Sequence, residues 1–373
     1  MKILIQNRVD AFTKMGGDTI QIARLKESLV KLGTQVDISC ELFPELDKYD
    51  IIHIFNITRV HDAYLQCMHA KRHKKKIVLT PLHHDIGEIE DFEKNGRYGP
   101  LKYFNRLIYS PNIREMAKNI YRGFICRDQR YPVFRQLFIG YRRQQLEVLK
   151  MADLLLPLAQ LEMDSLFKDF GIRKDYEIVH NGVKHEFLKG DGNRSEREYG
   201  IRDFVACVAR IEPRKNQLNL IKAMDGLNID LVLVGGMNPN NKEYNKEVRR
   251  LAALKPWIHH VPHIDHEKIA DLLAAAKVHA LPSWFEVVSL SCLEAALAGC
   301  NIVMSDRGYT REYIGEKAWY CDPESIDSIR KAVVGAYGSP KNDGLREIIK
   351  QKYTWENAAQ EALGAYRKAL ANP

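Results

Sequence analysis

At 373 residues the chain is longer than one hydrophobic core usually supports, so two domains of ordinary size are expected. With 45% hydrophobic and 28% charged residues it has a soluble globular composition; no apolar run approaches the ~20 residues of a membrane span, and the start MKILIQNRVD lacks a signal-peptide core. The seven cysteines are odd in number and scattered, with no C-x-x-C pair, which points away from a disulfide framework or a zinc site and fits reduced cytosolic thiols.

Short β-like runs alternate with helical patterns along the whole chain. In the first half the strand candidates are 2–7, 35–39, 50–55, 76–82, 153–159 and 176–182. Between the first two, Ile22, Leu25, Leu29 and Leu32 recur at helical spacing and Gly33 supplies the stop. The second half repeats the rhythm with strands at 204–210, 230–236, 257–261, 278–283, 301–305 and 318–322. Near-continuous apolar strands alternating with helices predict parallel sheets covered on both faces, an α/β class with two doubly wound domains. The polar, glycine-bearing stretch 190–200 reads as the linker between them, and neither an internal repeat nor a low-complexity segment is visible.

Ligands of doubly wound sheets bind at the carboxyl ends of strands, where loops run into helix N-termini. After the first strand, Gly16 and Gly17 precede Asp18, which reads as an N-cap; two glycines there let backbone amides approach a phosphate, or form a simple turn. Neither G-x-G-x-x-G nor G-x-x-x-x-G-K-[ST] occurs, so dinucleotide and P-loop readings lose their main support. The loop ARIEPRKNQ, after the first strand of the second half, delivers Arg210 and Lys215 around Pro213. Two cations at the mouth of a parallel sheet can neutralise a diphosphate, although a single Arg or Lys is more commonly just solvated.

The stretch SWFEVVSLSCLEAALAG places Glu286 and Glu294 in otherwise apolar or small surroundings. Ser291 with Glu294 forms a capping box, S-x-x-E, which gives Glu294 a structural explanation. A helix starting at Ser289 or Leu290 instead buries Glu294 on an apolar face, where ribose hydroxyls would partner it. Glu286, in the loop before that helix, lies where a sugar would present hydroxyls.

These residues carry a resemblance. HALPSWFEVVSLSCLEAALAG resembles the signature of retaining GT-B glycosyltransferases of the group called family 4, or glycosyl transferases group 1, with its Glu-x7-Glu pair. ARIEPRKNQ, LVLVGG, VHNGV, MSDRGYTREYI and the closing YTWENAAQEALGAYRKAL resemble further segments of that group. The resemblance covers nearly all of the C-terminal half plus the Gly-Gly loop. It implies two Rossmann-like domains facing across a cleft: an acceptor-binding domain at 1–190 and a nucleotide-sugar-binding domain at 191–354, with the closing helix 355–373 packing back on the first.

By the same resemblance Arg210, Lys215 and Glu286 are catalytic. Gly16, Gly17, His84 (with His83 as the alternative), His263, Ile264, Val287, Val288, Ser289, Leu290 and Glu294 bind the donor. Within that set Glu294 meets the ribose and the segment 261–264 flanks the base. Neither a metal nor another cofactor is expected. The pattern departs at Val287, Val288 and Ser289, where glycines are common, at Asn216 in place of glycine, and at Ala159 in place of serine. Front-face substitution with retention follows from the resemblance, with a UDP- or GDP-linked sugar as donor.

Residues 97–150 hold twelve Lys or Arg against three acids, a surplus of nine, while the whole chain carries +8. Ten Tyr or Phe accompany them, and Arg114, Lys118 and Arg122 share one helical face in this basic insert. That composition suits an anionic membrane surface and a lipid-linked glycan acceptor at the cytoplasmic face, or else a solvated basic helix. Bacterial surface-polysaccharide assembly is the expected setting. Rival readings are a soluble-acceptor glycosyltransferase, a nucleotide-sugar 2-epimerase of the same fold, and a nucleic-acid-binding protein. The last leaves the glutamate pair and the Arg/Lys loop unexplained, so no nucleic-acid partner is expected.

Overall fold

The computed structural model describes residues 1–99, 116, 119, 120, 124, 130–262 and 265–371. It divides into two units, one formed by Met1–Asp85, Ile108–Gly182 and Trp355–Pro373, the other by Ile86–Leu107 and Val183–Thr354. The division thus falls at 182/183, and the short segment from Ile86 groups with the second unit.

In the first unit five parallel strands, β1 (Lys2–Gln6), β2 (Gln35–Ser39), β3 (Ile51–Phe55), β4 (Lys76–Thr80) and β5 (Leu154–Leu155), stand in the order β2-β1-β3-β4-β5. Side chains alternate across a strand, so β3 serves two cores at once. Ile52 and Ile54 join a cluster with Leu65, Leu149 and Leu166 from the helices Val60–Arg72, Tyr141–Met151 and Gln160–Phe170. Each fully buried side chain of this kind contributes about 1.5–3 kcal/mol. His53, between them in sequence and fully buried, lies 2.7 Å through Nδ1 from the Tyr366 hydroxyl of the helix Trp355–Ala371 and 2.8 Å through Nε2 from Thr80 Oγ1.

The second unit holds six parallel strands, β6 (Val205–Val208), β7 (Leu231–Val234), β8 (Ile258–Val261), β9 (Val278–Leu281), β10 (Asn301–Ser305) and β11 (Trp319–Cys321), in the order β11-β10-β9-β6-β7-β8. The winding reverses between β6 and β9, where Val205 pairs with Val278 and Ala206 with His279. Such a reversal parts the loops at the strands' carboxyl ends and opens a crevice.

Two sequence expectations need correction. The stretch 176–182 is not a sheet strand: it makes one isolated bridge, Tyr176 to Leu155, and runs on as irregular backbone. The stretch 190–200 is not a bare linker, because Gly192–Tyr199 is a helix. Asp191 caps it by accepting from Asn193 N–H, Gly200 ends it at φ 72°, and it packs on the helix His266–Ala275. A Cβ on Gly190 would lie 2.2 Å from the Ala270 carbonyl, so only glycine permits that approach. Among the described residues no helix is long and apolar enough to cross a membrane.

Candidate functional site

The reversal point of the second sheet gathers the charged residues. β6 ends at Val208 and the chain turns through a short 3-10 segment, Pro213–Lys215, into the helix Gln217–Met224. β9 ends at Leu281, and the loop carrying Glu286 leads into the helix Leu290–Ala298. The two loops are joined through the backbone: Trp284 N–H donates to the Arg214 carbonyl at 2.9 Å. Asn216 adds a side-chain tie, its amide donating to the carbonyls of Pro282 (3.0 Å) and Pro323 (2.8 Å). Asn216 has φ 63° and ψ 28°, left-handed backbone that asparagine tolerates better than other non-glycine residues. The replacement of glycine at this position therefore keeps the turn and adds two hydrogen bonds.

Lys215 and Glu286 come together: Lys215 Nζ hydrogen-bonds Glu286 Oε1. Arg214 Nη1 lies 3.5 Å from the other oxygen, Oε2, and Arg214 Nε donates to Glu212 Oε1 at 3.3 Å. Glu286 is only 13% exposed. Burial would push its carboxyl up, but Lys215 and then Arg214 outweigh that and hold it down at about 2. Glu212 is likewise lowered against the pull of burial, by Arg214, then Arg210, then a hydrogen bond from Asn238. Arg210 stands apart from the Lys215–Glu286 pair. Its side chain is 51% exposed, and Glu212 lies 4.0 Å away. Behind Lys215, His279 is fully buried and accepts from Val208 N–H at 3.4 Å through Nε2; burial, then Lys215, lowers it to about 3, so it is neutral.

The helix starts as the second sequence alternative requires. Ser289 is the N-cap and accepts from Cys292 N–H, Leu290 is the first helical residue, and Gly299 closes the helix at φ 95°. The capping box on Ser291 is not formed, and Glu294 sits half-buried within the helix. Val287 and Val288 are both buried.

In the first unit Gly16, not Asp18, is the N-cap of the helix Gly17–Lys31. Asp18 is instead gripped by Arg8, whose Nε lies 3.0 Å from Oδ2, and by Asn7 at 3.2 Å. His83 is committed: its backbone N–H donates to Glu162 and its Nε2 lies 2.7 Å from Asp169 Oδ2. His84 is half-buried. Glu162 also accepts from Leu158 N–H at 2.7 Å, while the N-cap Ala159 offers the first turn no side-chain acceptor. His263 and Ile264, together with Arg114, Lys118 and Arg122, lie outside the described residues.

With this geometry in view, residues 193–354 match the family described as glycosyl transferases group 1. That match falls within the second unit. Among relatives, the MMP alpha-(1->4)-mannosyltransferase of Mycolicibacterium hassiacum is 25% identical over 257 residues, 65% of this chain and 60% of that protein. The O-antigen chain mannosyltransferase B of Escherichia coli is 27% identical over 177 residues, 44% of this chain and 45% of that one. The match thus spans less than two thirds of either relative's length. Among solved structures, Anabaena HepE in complex with UDP-glucose superposes with a TM-score of 0.72 at 14% identity, covering 99% of this chain and 100% of that one. That likeness concerns the fold, which is of the GT-B class: two Rossmann-like parallel-sheet units.

Within the second unit, sequence reasoning misses three residues. Arg214 stands next to Lys215, but nothing in the spacing distinguishes a cation that braces a glutamate from one that is solvated. Glu212 stands in the same loop, and its role depends on Asn238, brought close only by folding. His279 reads as one more strand residue in VHAL.

Proposed function

We propose that the protein is a retaining, metal-independent glycosyltransferase that moves a sugar from a UDP- or GDP-linked donor to a lipid-linked glycan acceptor, in the assembly of a bacterial surface polysaccharide. The observation that carries the reading is the cluster at the reversal point of the second sheet. There the half-exposed Arg210 and the Lys215–Glu286 pair lie at the carboxyl ends of β6 and β9. Breaking a sugar–phosphate bond builds negative charge on the leaving nucleoside diphosphate. Arg210 and Lys215 meet that charge with cations already in place, and preorganised charge of this kind supplies much of the rate enhancement of many enzymes. Lys215 then passes from Glu286 to phosphate oxygen, and the freed carboxylate of Glu286 accepts hydrogen bonds from sugar hydroxyls. Glu294, in the same unit, takes the ribose hydroxyls.

In this reading the departing phosphate oxygen takes the acceptor's proton on the same face of the sugar, so the anomeric configuration is retained and no residue serves as general base. The two cations answer the diphosphate charge, so no metal is assigned a role. Support for a nucleotide-sugar donor comes from HepE, solved with UDP-glucose, and support for the setting from the O-antigen mannosyltransferase.

The lipid-linked acceptor draws on one face of the helix Arg130–Ile139 in the first unit. Tyr131, Phe134, Leu137 and Phe138 are all exposed there, Phe134 at 59% and Phe138 at 77%; Arg130 opens this helix, and Arg142 and Arg143 are exposed at the start of the next. Aromatic rings among arginines suit an anionic lipid surface, to which each basic residue contributes about 1 kcal/mol. An NMR time course of the transfer reaction in EDTA tests the chemistry. Retention with full activity is expected; inversion, or a strict need for magnesium or manganese, overturns it.

A further inference from the structure

We infer that residues 86–97 form a strap that positions the Glu286 loop, with Glu88 and Phe92 as its positioning residues. The inference rests on Glu286 being the residue that meets the donor sugar. This segment falls in sequence between β4 and β5 of the first sheet, yet it groups with the second unit. It runs as the helix Ile86–Asp91 and a π-turn, Phe92–Gly96.

Its contacts fall on both sides of Glu286. Just before that residue, Trp284 and Phe285 form a small apolar cluster with Phe92, with Ile89 packed against it. The Phe92 ring centroid lies 6.0 Å from that of Trp284 and 5.6 Å from that of Phe285, in tilted and edge-on arrangements. A Cβ on Gly96 would lie 2.4 Å from atoms of both Phe92 and Trp284, so the turn closes onto the tryptophan only because residue 96 is glycine.

Across the Glu286 backbone, Gly308 N–H donates to Glu88 Oε1 at 2.8 Å. Gly308 has φ 78°, and a Cβ there would lie 2.0 Å from the Glu286 carbonyl oxygen. Tyr309 N–H, next along, donates to the carbonyls of Glu286 (3.3 Å) and Val287 (3.2 Å). Glu88 therefore holds the turn that in turn holds the Glu286 backbone. Arg307 adds a third tie, 3.7 Å from Asp91 and with its guanidinium 5.4 Å from the Trp284 ring centroid.

Arg210 lies on the other loop before the Trp284–Arg214 tie and makes no contact with the strap among those described, so loosening the strap should displace the sugar-facing carboxylate most and the diphosphate anchors less. A shift on the order of 1 Å in a catalytic group costs about 10²-fold in rate. Glu88→Ala, Glu88→Gln and Phe92→Ala are compared with the wild type in donor turnover, in nucleoside diphosphate affinity, and in amide hydrogen exchange, which needs no substrate. Glu88→Ala and Phe92→Ala should lower kcat about 10- to 100-fold with nucleotide affinity changed less than about threefold. Exchange should quicken in peptides covering 284–290 and 307–312. Glu88→Gln keeps an acceptor for Gly308 N–H and should restore both readouts. Unchanged exchange in Glu88→Ala and Phe92→Ala overturns the strap, as does a Glu88→Gln variant as impaired as Glu88→Ala. If the wild type turns over no nucleotide sugar, the proposed function fails, and the exchange data still decide the strap.

Discussion

Each sheet reverses its winding once, and the loops at the two reversals handle charge in opposite ways. In the first unit the loop after β1 pairs its charges with one another. Arg8, 7% exposed, binds Asp18 (3.0 Å) and Asp10 (2.7 Å), and Asp10 also pairs with Arg59 at 2.6 Å. At the surface lie Phe12, Met15 and Lys14, the last paired with Asp10 at 3.3 Å, and the Gly16–Gly17 backbone, with open space beside Gly17. In the second unit the loop after β6 leaves Arg210 half-exposed and sets Lys215 on a carboxylate that the proposed donor sugar would engage. One loop is cross-braced by its own ion pairs; the other leaves one cation half-exposed, and under the proposed function that cation would meet the diphosphate.

The comparison breaks first on stability. Arg8→Met strips Asp18 of its cation inside the first unit, and breaking a buried pair costs about 3–5 kcal/mol. Urea unfolding should show that loss, whereas Arg210→Met should stay within about 0.5 kcal/mol of wild type, as surface changes do. Equal effects would mean that the two loops do not differ as described.

The catalytic contrast comes next. Lys215→Ala or Arg210→Ala should lower turnover by about 10²-fold or more with the fold intact, the loss expected when a group stabilising transition-state charge is removed. Wild-type turnover in both variants would show that this loop does not hold the leaving group.

Acid sharpens the comparison more gently. His279 in the second unit has a folded pKa of about 3 against an ordinary 6.5, so its stabilisation is complete above pH 6.5 and is lost as the pH falls towards 3. Glu286, at about 2 against 4.5, loses its share below about pH 4.5, in the same direction. In the first unit His53, also at about 3 through burial, behaves as His279 does. Asp62 opposes it there: burial raises it from 3.8 to about 6, which favours the folded state as the pH falls through 6. Calorimetry between pH 7 and pH 4.5 should therefore show a falling melting temperature, with the second unit the more sensitive. A melting temperature that rises over this interval would contradict these assignments.

The smallest effect concerns the exposed helix face. Replacing Phe134 and Phe138 with serine should halve or further reduce cosedimentation with anionic liposomes at low salt, leaving nucleotide binding unchanged. A wild type that ignores such liposomes would remove the membrane from the account.

Much of this is legible in the sequence because apolar strands and their spacing are local. Eleven strands fall within the expected stretches, and the Arg/Lys loop and the Glu-x7-Glu stretch do lie beside one another at a reversal point. The errors have physical causes. Tyr176–Gly182 has a strand's composition but finds only Leu155 to bridge. Gly192–Tyr199 lacks an apolar stripe, since only Ser195 among its residues is buried, so its helix shows only in the Asp191 cap and the Gly200 stop. Asp18 reads as a cap because its true partner, Arg8, lies ten residues back on the other side of the turn. The strap from Ile86 cannot be read from sequence at all, because it depends on Trp284 and Gly308, some two hundred residues away.

The central claim is that the second unit holds a nucleoside diphosphate through Arg210 and Lys215. Calorimetric titration of UDP and of GDP into the wild type, Arg210→Ala and Lys215→Ala tests it most directly. The account predicts saturable binding of one of them by the wild type, weakened at least tenfold in each variant, about 1.4 kcal/mol or more. Equal affinity in all three proteins, or no binding of either nucleotide by the wild type, would contradict it.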